Sequence, residues 1–189
     1  MTAAPDYFEP VLGWRVWSLS VADGRARLAS HISPSVWPPG QALVATCDAQ
    51  RRHLRRPWRL QPTGHAAPDS RCTCGVHAMG AVGSLSTYLP PPSRPYAWMR
   101  PLVHQVIGRV ALWGDVVEGS RGWRAARAYP NELWLPQVDV DRREVAGAAA
   151  FAIDLADYRV PVHLCDGRTP REVIEALART APARRVTTT

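Results

Sequence analysis

The sequence contains no lysine, and all 23 of its basic residues are arginine. A chain that lacks lysine and is rich in alanine, proline and arginine is typical of a genome with a high GC content. The formal net charge of +7 therefore points less directly to nucleic acid than it would in a chain that used both basic residues. The informative feature is where the arginines cluster along the chain.

Long apolar runs and a secretory leader are also missing. The longest apolar stretches, such as residues 148–154, are too short and too interrupted to span a bilayer. The first residues form neither the basic nor the apolar segment of a signal peptide. We therefore expect a cytoplasmic protein with no membrane partner.

None of the short motifs that mark common catalytic sites is present. The sequence shows no nucleophile paired with a base, no paired-carboxylate motif, no phosphate-binding loop and no dinucleotide fingerprint. Asp115 and Glu118 flank a predicted turn and could act as acid and base. Such residues more often lie at strand ends that face solvent. An enzyme is therefore the less favoured interpretation.

Cysteine is scarce, with four residues at positions 47, 72, 74 and 165. Cys72 and Cys74 flank a single residue, so a disulfide between them would be strained. Disulfides are in any case rare in cytosolic proteins. The two thiols instead predict a metal site, because Gly75 lets the chain turn so that both can face one ion.

Zinc sites in proteins take about four sulfur or nitrogen ligands in a tetrahedral array. The predicted Cys3His set for Zn²⁺ is Cys47, His65, Cys72 and Cys74. His77 and His53 compete with His65 for the histidine position. The alternative without a metal makes Cys47 a buried strand residue and leaves the other two cysteines as reduced thiols in a loop. A site with four protein ligands is closed, which predicts a structural ion.

The pattern of apolar and turn residues predicts an α+β fold with a β-rich core, which is either a small barrel or a strongly bent antiparallel sheet. The core occupies residues 11–136, after a flexible arm at 1–10, and it includes a zinc knuckle built on Cys72-Thr73-Cys74. Strands are expected at 11–19, 25–32, 41–47, 106–117, 123–129 and 133–135. Residues 48–71 form a long loop, and residues 79–88 form a short helix or strand.

The last part of the chain changes character. Residues 137–180 predict a helix, a strand and a second helix packed on the core, and residues 181–189 predict a disordered tail. Each helix begins with capping-box spacing, Asp141 to Glu144 for the first and Thr169 to Glu172 for the second. The strand between them is expected at 159–165.

Several short motifs between residues 12 and 136 resemble those of a family of small uncharacterised proteins from high-GC bacteria. The motifs are Trp37-Pro-Pro-Gly40, Cys47, His65-Ala-Ala-Pro68, Cys72-Thr-Cys74-Gly75, Leu112-Trp113-Gly114, Gly122-Trp123-Arg124-Ala125 and Tyr129-Pro130. The resemblance carries no activity across. It favours His65 as the histidine ligand, because the family motif places a histidine before Ala-Pro. The stretch 48–64 is longer and more basic here than in the family pattern.

Two clusters of arginine and tryptophan are candidate anion-binding surfaces, because arginine forks grip phosphate and an exposed indole can stack on a base. The first cluster is Arg51, Arg52, Arg55, Arg56, Trp58 and Arg59. The second is Arg121, Trp123, Arg124 and Arg127. In a strand, Arg121, Trp123, Ala125 and Arg127 would share one face. The alternative is that these arginines are solvated surface and that the tryptophans belong to the core.

The sequence thus predicts a zinc-stabilised binding or regulatory module whose leading partner is nucleic acid or another polyanion. A protein-interaction adaptor that does not bind nucleic acid is the first alternative, favoured by the tryptophan-rich first strand and the proline-rich connector at 89–95. A metal-dependent enzyme with an open zinc site is the second alternative.

Overall fold

The computed structural model describes residues 9–31, 35–47, 65–89, 104–138, 144 and 146–180. The strands within these ranges are β1 (Val11–Ala22), β2 (Arg25–Ser30), β3 (Leu43–Val44), β4 (Val76–Met79), β5 (Gln105–Gly119), β6 (Gly122–Pro136) and β7 (Val162–Cys165). The α-helices are α1 (Ala148–Leu155) and α2 (Pro170–Thr180), and short 3-10 helices lie at Val82–Tyr88 and Ala156–Tyr158. The predicted α+β class with a strand-rich core is confirmed.

β1 and β2 form the hairpin that the sequence predicts. Asp23 and Gly24 make its turn, with positive φ angles of 52° and 71°, as a two-residue type I′ turn requires. Ala26 and Leu28 are buried and Arg25 is exposed. The alternation of apolar and polar residues therefore predicted correctly which face of β2 is buried.

β5 and β6 are the longest strands, and they pair with each other from end to end. The sequence predicted two separate strands, at 123–129 and 133–135, where β6 runs unbroken. Pro130 lies opposite Val110 next to a register shift, and the ladder resumes at Glu132. The extra residue of a β-bulge accommodates a proline that cannot donate a hydrogen bond.

The antiparallel strands close into a ring. β1 pairs with β5, β5 with β6, β6 with β4, and β4 again with β1. The closure is narrow, since β1 and β4 share one residue pair, Trp14 with Met79. Glycine permits the close approach there, because a Cβ on Gly13 of β1 would lie 2.6 Å from the Cβ of Ala78 in β4. The remaining strands extend this sheet: β2 pairs with β1, while β3 and β7 pair with β6.

The core has two parts, one on each face of β1. Trp17 is fully buried in the larger part, where its ring meets that of Trp37 edge to face at 5.4 Å. Val16 belongs to the smaller part, which includes Val173 and Ile174 of α2. The C-terminal helix therefore covers a sheet face that would otherwise leave apolar side chains in water.

One of the two predicted capping boxes is present. Glu172 accepts a hydrogen bond from the Thr169 backbone N–H at 2.8 Å, and its own N–H donates to the Thr169 hydroxyl at 3.4 Å. The first helix does not begin at the other predicted box, because α1 starts at Ala148 after Gly147 in the left-handed region. Glu144 instead forms a β-bridge with Val138, and Asp141 lies outside the described residues.

Other boundaries differ by a few residues. The third strand is shorter than the predicted 41–47, because β3 pairs with β6 only at Ala128 and Arg127. The predicted segment 79–88 is a 3-10 helix that follows β4. The arm at 1–10 is described only at its last two residues, and the tail at 181–189 lies outside the described ranges. None of the helices in the described part of the chain has the length and apolar character to cross a lipid bilayer.

Candidate metal centre

The four predicted zinc ligands come from three places in the chain. Cys47 follows β3, where the N–H of Ala45 donates to the carbonyl of Ala126 at 2.8 Å and holds the chain against β6. His65 begins the segment that leads to Cys72 and Cys74, directly before β4. The structure therefore gathers the ligands at one edge of the ring.

Gly75 allows the turn after Cys74. Its φ angle is 115°, and a Cβ there would lie 3.0 Å from the Cβ atoms of both Pro68 and Arg124. A side chain would meet strain in the backbone and contact with both neighbours. This is the role that the sequence predicted for Gly75.

The ligand atoms of Cys47, His65, Cys72 and Cys74 all lie within 4.8 Å of one another. The Sγ atoms of Cys47 and Cys72 are 3.8 Å apart, and Nε2 of His65 is 3.4 Å from Sγ of Cys74. Around tetrahedral zinc, ordinary bond lengths give S···S separations of about 3.8 Å and N···S separations of about 3.6 Å. The four side chains are thus close enough to bind one metal ion, with spacings that suit zinc.

The structure also bears on the alternatives to this ligand set, which are a disulfide and the histidines His77 and His53. A disulfide between Cys47 and Cys72 would need a sulfur separation of about 2.05 Å, and none of the four cysteines forms a disulfide. Nε2 of His77 lies 2.9 Å from the carbonyl oxygen of Thr73, so this ring binds the knuckle backbone and is not part of the cluster. His53 lies outside the described residues.

The thiols influence one another's protonation. For Cys72, burial acts to raise the pKa, but hydrogen bonds from the Cys74 backbone and from the thiols of Cys74 and Cys47 outweigh it and lower the pKa. Burial raises the pKa of Cys74 to about 11, and the neighbouring sulfurs act in the same direction. One thiolate forms readily and a second beside it is disfavoured. A divalent cation would supply the charge that lets several thiolates coexist.

Arg124 supports the knuckle from β6. Its Nη1 atom donates to the carbonyl oxygens of Asp69 at 3.2 Å, Cys74 at 3.0 Å and Cys72. The sequence grouped Arg124 with the anion-binding candidates, but its guanidinium faces the backbone that carries two ligands. Groups in this position orient the ligands of a metal site and hold their loop in place.

The members of the second predicted arginine cluster differ in their surroundings. Ala125 and Ala128 are both fully buried while Arg127 is exposed, so Ala125 and Arg127 differ in exposure although the alternation predicted them on one face. A register shift between Trp113 and Val116, at Gly114 with a φ of 75°, puts an extra residue of β5 opposite this part of β6. Trp123 is partly buried and packs against the core.

The first predicted cluster, Arg51, Arg52, Arg55, Arg56, Trp58 and Arg59, lies outside the described residues. The described residues on either side of segment 48–64, Cys47 and His65, both belong to the metal cluster. The sequence did not single out Arg15, a charged residue within the aromatic strand β1, although that setting is itself an unusual signal.

Comparison with protein-family models, curated proteins and solved structures finds no match to this chain. The resemblance suggested by the sequence motifs therefore stays a prediction.

Proposed function

We propose that this chain is a zinc-stabilised binding or regulatory module, and that its leading partner is nucleic acid or another polyanion. The observation that carries the proposal is the Cys3His cluster, whose ligand atoms lie within 4.8 Å of one another, and two of its separations, 3.8 Å and 3.4 Å, are close to those around tetrahedral zinc. Three thiolates and one imidazole are ligands that zinc prefers over magnesium or calcium.

The ion in this proposal is structural. Four protein side chains fill a tetrahedral shell, and a catalytic zinc keeps one position open for water or substrate. The cluster joins the end of β3 to the segment that enters β4, and Arg124 binds the same segment from β6. Zinc would therefore hold both ends of the segment between Cys47 and His65 at the ring.

The distribution of charge supports a polyanion as the partner. Residues 137–189 carry eight arginines and eight acidic residues, so the net charge of +7 arises in the first 136 residues. Five arginines and Trp58 lie in the sequence between two zinc ligands, Cys47 and His65. A zinc ion at the cluster would hold both ends of this basic segment together. Arginine and tryptophan are the side chains that grip phosphates and stack on bases.

Salt-dependent binding tests the proposed partner. Zinc-loaded protein is titrated into labelled single-stranded RNA and DNA at several salt concentrations. We expect affinity to fall steeply with salt, and Arg55→Gln/Arg56→Gln to reduce the magnitude of the log–log slope by about 1.4 if both residues contact phosphate. Arg171→Gln/Arg179→Gln on α2 removes the same charge from the other part of the chain and is the matched control.

Two results would count against this partner. If no binding occurs at low salt, the polyanion proposal is wrong. If both double variants weaken binding equally, net charge and not the basic segment is responsible. Binding of a protein partner that is insensitive to salt would favour the adaptor instead, because apolar burial is little screened.

A further inference from the structure

The ring has a gap beside its closure. β1 and β4 pair only at Trp14 and Met79, and from Trp17 onward the same edge of β1 pairs with β2. Arg15 lies between these two regions, and its Nη1 atom donates to the carbonyl of His77 in β4. A side chain thus bridges the two strands at a place where they share no backbone pairing.

A cavity of about 460 Å³ lies at this gap. The metal-binding segment forms one side of it, since Cys47, Cys72 and Cys74 are among its lining residues. The volume falls within the range of about 300–1,000 Å³ that is typical of small-molecule pockets. Trp14, Leu85 and Tyr88 contribute an apolar wall.

Two arginines supply the positive charge at the cavity. Arg15 and Arg121 both line it, and no aspartate or glutamate is among the lining residues that the structure describes. Ser30 and His31 add polar atoms. A zinc-loaded Cys3His site would carry one net negative charge on its side of the cavity, so Arg15 is the group that would attract an anion.

Arg15 has neutral partners only. Its Nη2 atom donates to the Ser30 hydroxyl at 3.1 Å, and its guanidinium lies 5.2 Å from the ring centroid of Trp37. Within the described ranges no carboxylate forms a salt bridge with it, and its Nε atom is inaccessible to solvent without a hydrogen-bond partner. Burial lowers the pKa of Arg15 to about 10. Arg15 is half-buried, and a guanidinium partly withdrawn from water without a counter-ion loses hydration that a bound anion would replace.

We propose that this cavity binds a small organic anion that has an aromatic or other apolar body. Its acidic head is held near Arg15, and its body packs against the wall formed by Trp14, Leu85 and Tyr88. A bare inorganic anion would leave that wall and most of the volume without a partner. This proposal rests on Arg15 and the cavity and not on the basic segment 51–59, so either proposal can fail without the other.

Benzoate and benzamide are a matched pair of probes, because they share ring and shape and differ in charge. Zinc-loaded protein carrying ¹³C-methyl methionine is titrated with each probe. Met79 lines the cavity, and its signal is assigned with Met79→Leu. We expect millimolar benzoate to shift the Met79 methyl signal and to raise the melting temperature, and benzamide to do neither.

Arg15→Gln tests the anchor. It should weaken benzoate binding by about tenfold or more, since a charge-assisted hydrogen bond becomes a neutral one. Arg171→Gln, an exposed change on α2, should leave binding unaltered. If Arg15→Gln does not fold, the wild-type methyl measurement decides. An unshifted Met79 signal, or equal responses to benzoate and benzamide, would overturn the proposal.

Discussion

Removing the proposed zinc ion should lower stability far more than removing a cysteine elsewhere. Cys72 is the test position, because its side chain is buried and its Sγ lies 3.8 Å from that of Cys47. In Cys72→Ser a hydroxyl replaces the thiolate and is a poor zinc ligand at neutral pH. We expect the variant to bind zinc weakly and to melt at a lower temperature.

The size of the effect follows from binding linkage. Zinc at a thousandfold excess over its dissociation constant stabilises a native state that alone binds it by about 4 kcal/mol. For a chain of 189 residues this corresponds to a decrease in Tm of about 8 to 16 °C. The core cluster inside the ring, as described, contains none of the four ligands. We therefore expect the strand signal in circular dichroism to persist below the lowered Tm.

Cys165→Ser is the matched control. Cys165 is also a free, partly buried cysteine, but its thiol contacts the carbonyl of His163 and lies outside the cluster. Its substitution should change stability by less than about 1 kcal/mol. Metal analysis should find one zinc per chain in wild type and in the control. The metal centre would be refuted if the wild type contained no zinc or if chelators left its Tm unchanged. Equal effects of the two variants would also refute it.

Three further perturbations test parts of the structure, each by melting or urea unfolding. Arg124→Met should lower stability by about 2–3 kcal/mol and weaken zinc retention against a chelator, because the carbonyl oxygens of Asp69, Cys72 and Cys74 lose a charged donor. Arg127→Met, on an exposed side chain, should do neither. Similar effects of the two variants would contradict the role of Arg124 in holding the metal-binding segment. Thr169→Ala should lower the free energy of unfolding by about 1 kcal/mol, because it removes the cap of α2. Thr180→Ala at the other end of the helix should lower it less, and the reverse order would be inconsistent with the capping box. Arg25 and Arg27 of β2 lower the pKa of Asp157. The contribution of Asp157 to stability is therefore present above its unfolded pKa, near 3.8, and is lost as pH falls through the folded pKa. The Tm difference between wild type and Asp157→Asn should shrink below about pH 4, and a constant difference down to acid pH would rule this out.

The proposals differ in what carries them. The zinc centre rests on distances between described side chains, the polyanion partner on the charge of the sequence, and the small-anion cavity on a gap in the strand pairing. Zinc would connect them physically, because its ligands both border the cavity and flank the basic segment. Metal content is therefore the first measurement to make, and both binding tests use the zinc-loaded protein.

Local patterns were sufficient for several features. The alternation in β2, the Asp23–Gly24 turn and the capping box at Thr169 depend on interactions within a few residues. The spacing of Cys72, Cys74 and Gly75 likewise predicted a tight turn that presents two thiols.

Interactions between distant residues decided the rest. Cys47 was the predicted third cysteine, and His65 competed with His77 and His53; both join the cluster because β3 and β4 both pair with β6. The same pairing turns Arg124 toward the knuckle. Neither the bulge that carries β6 through Pro130 nor the gap at Arg15 has a local signal, because both depend on the register of partner strands. The sequence by itself predicted a Cys3His metal site, and the tertiary structure decided which histidine joins the three cysteines and what lies beside them.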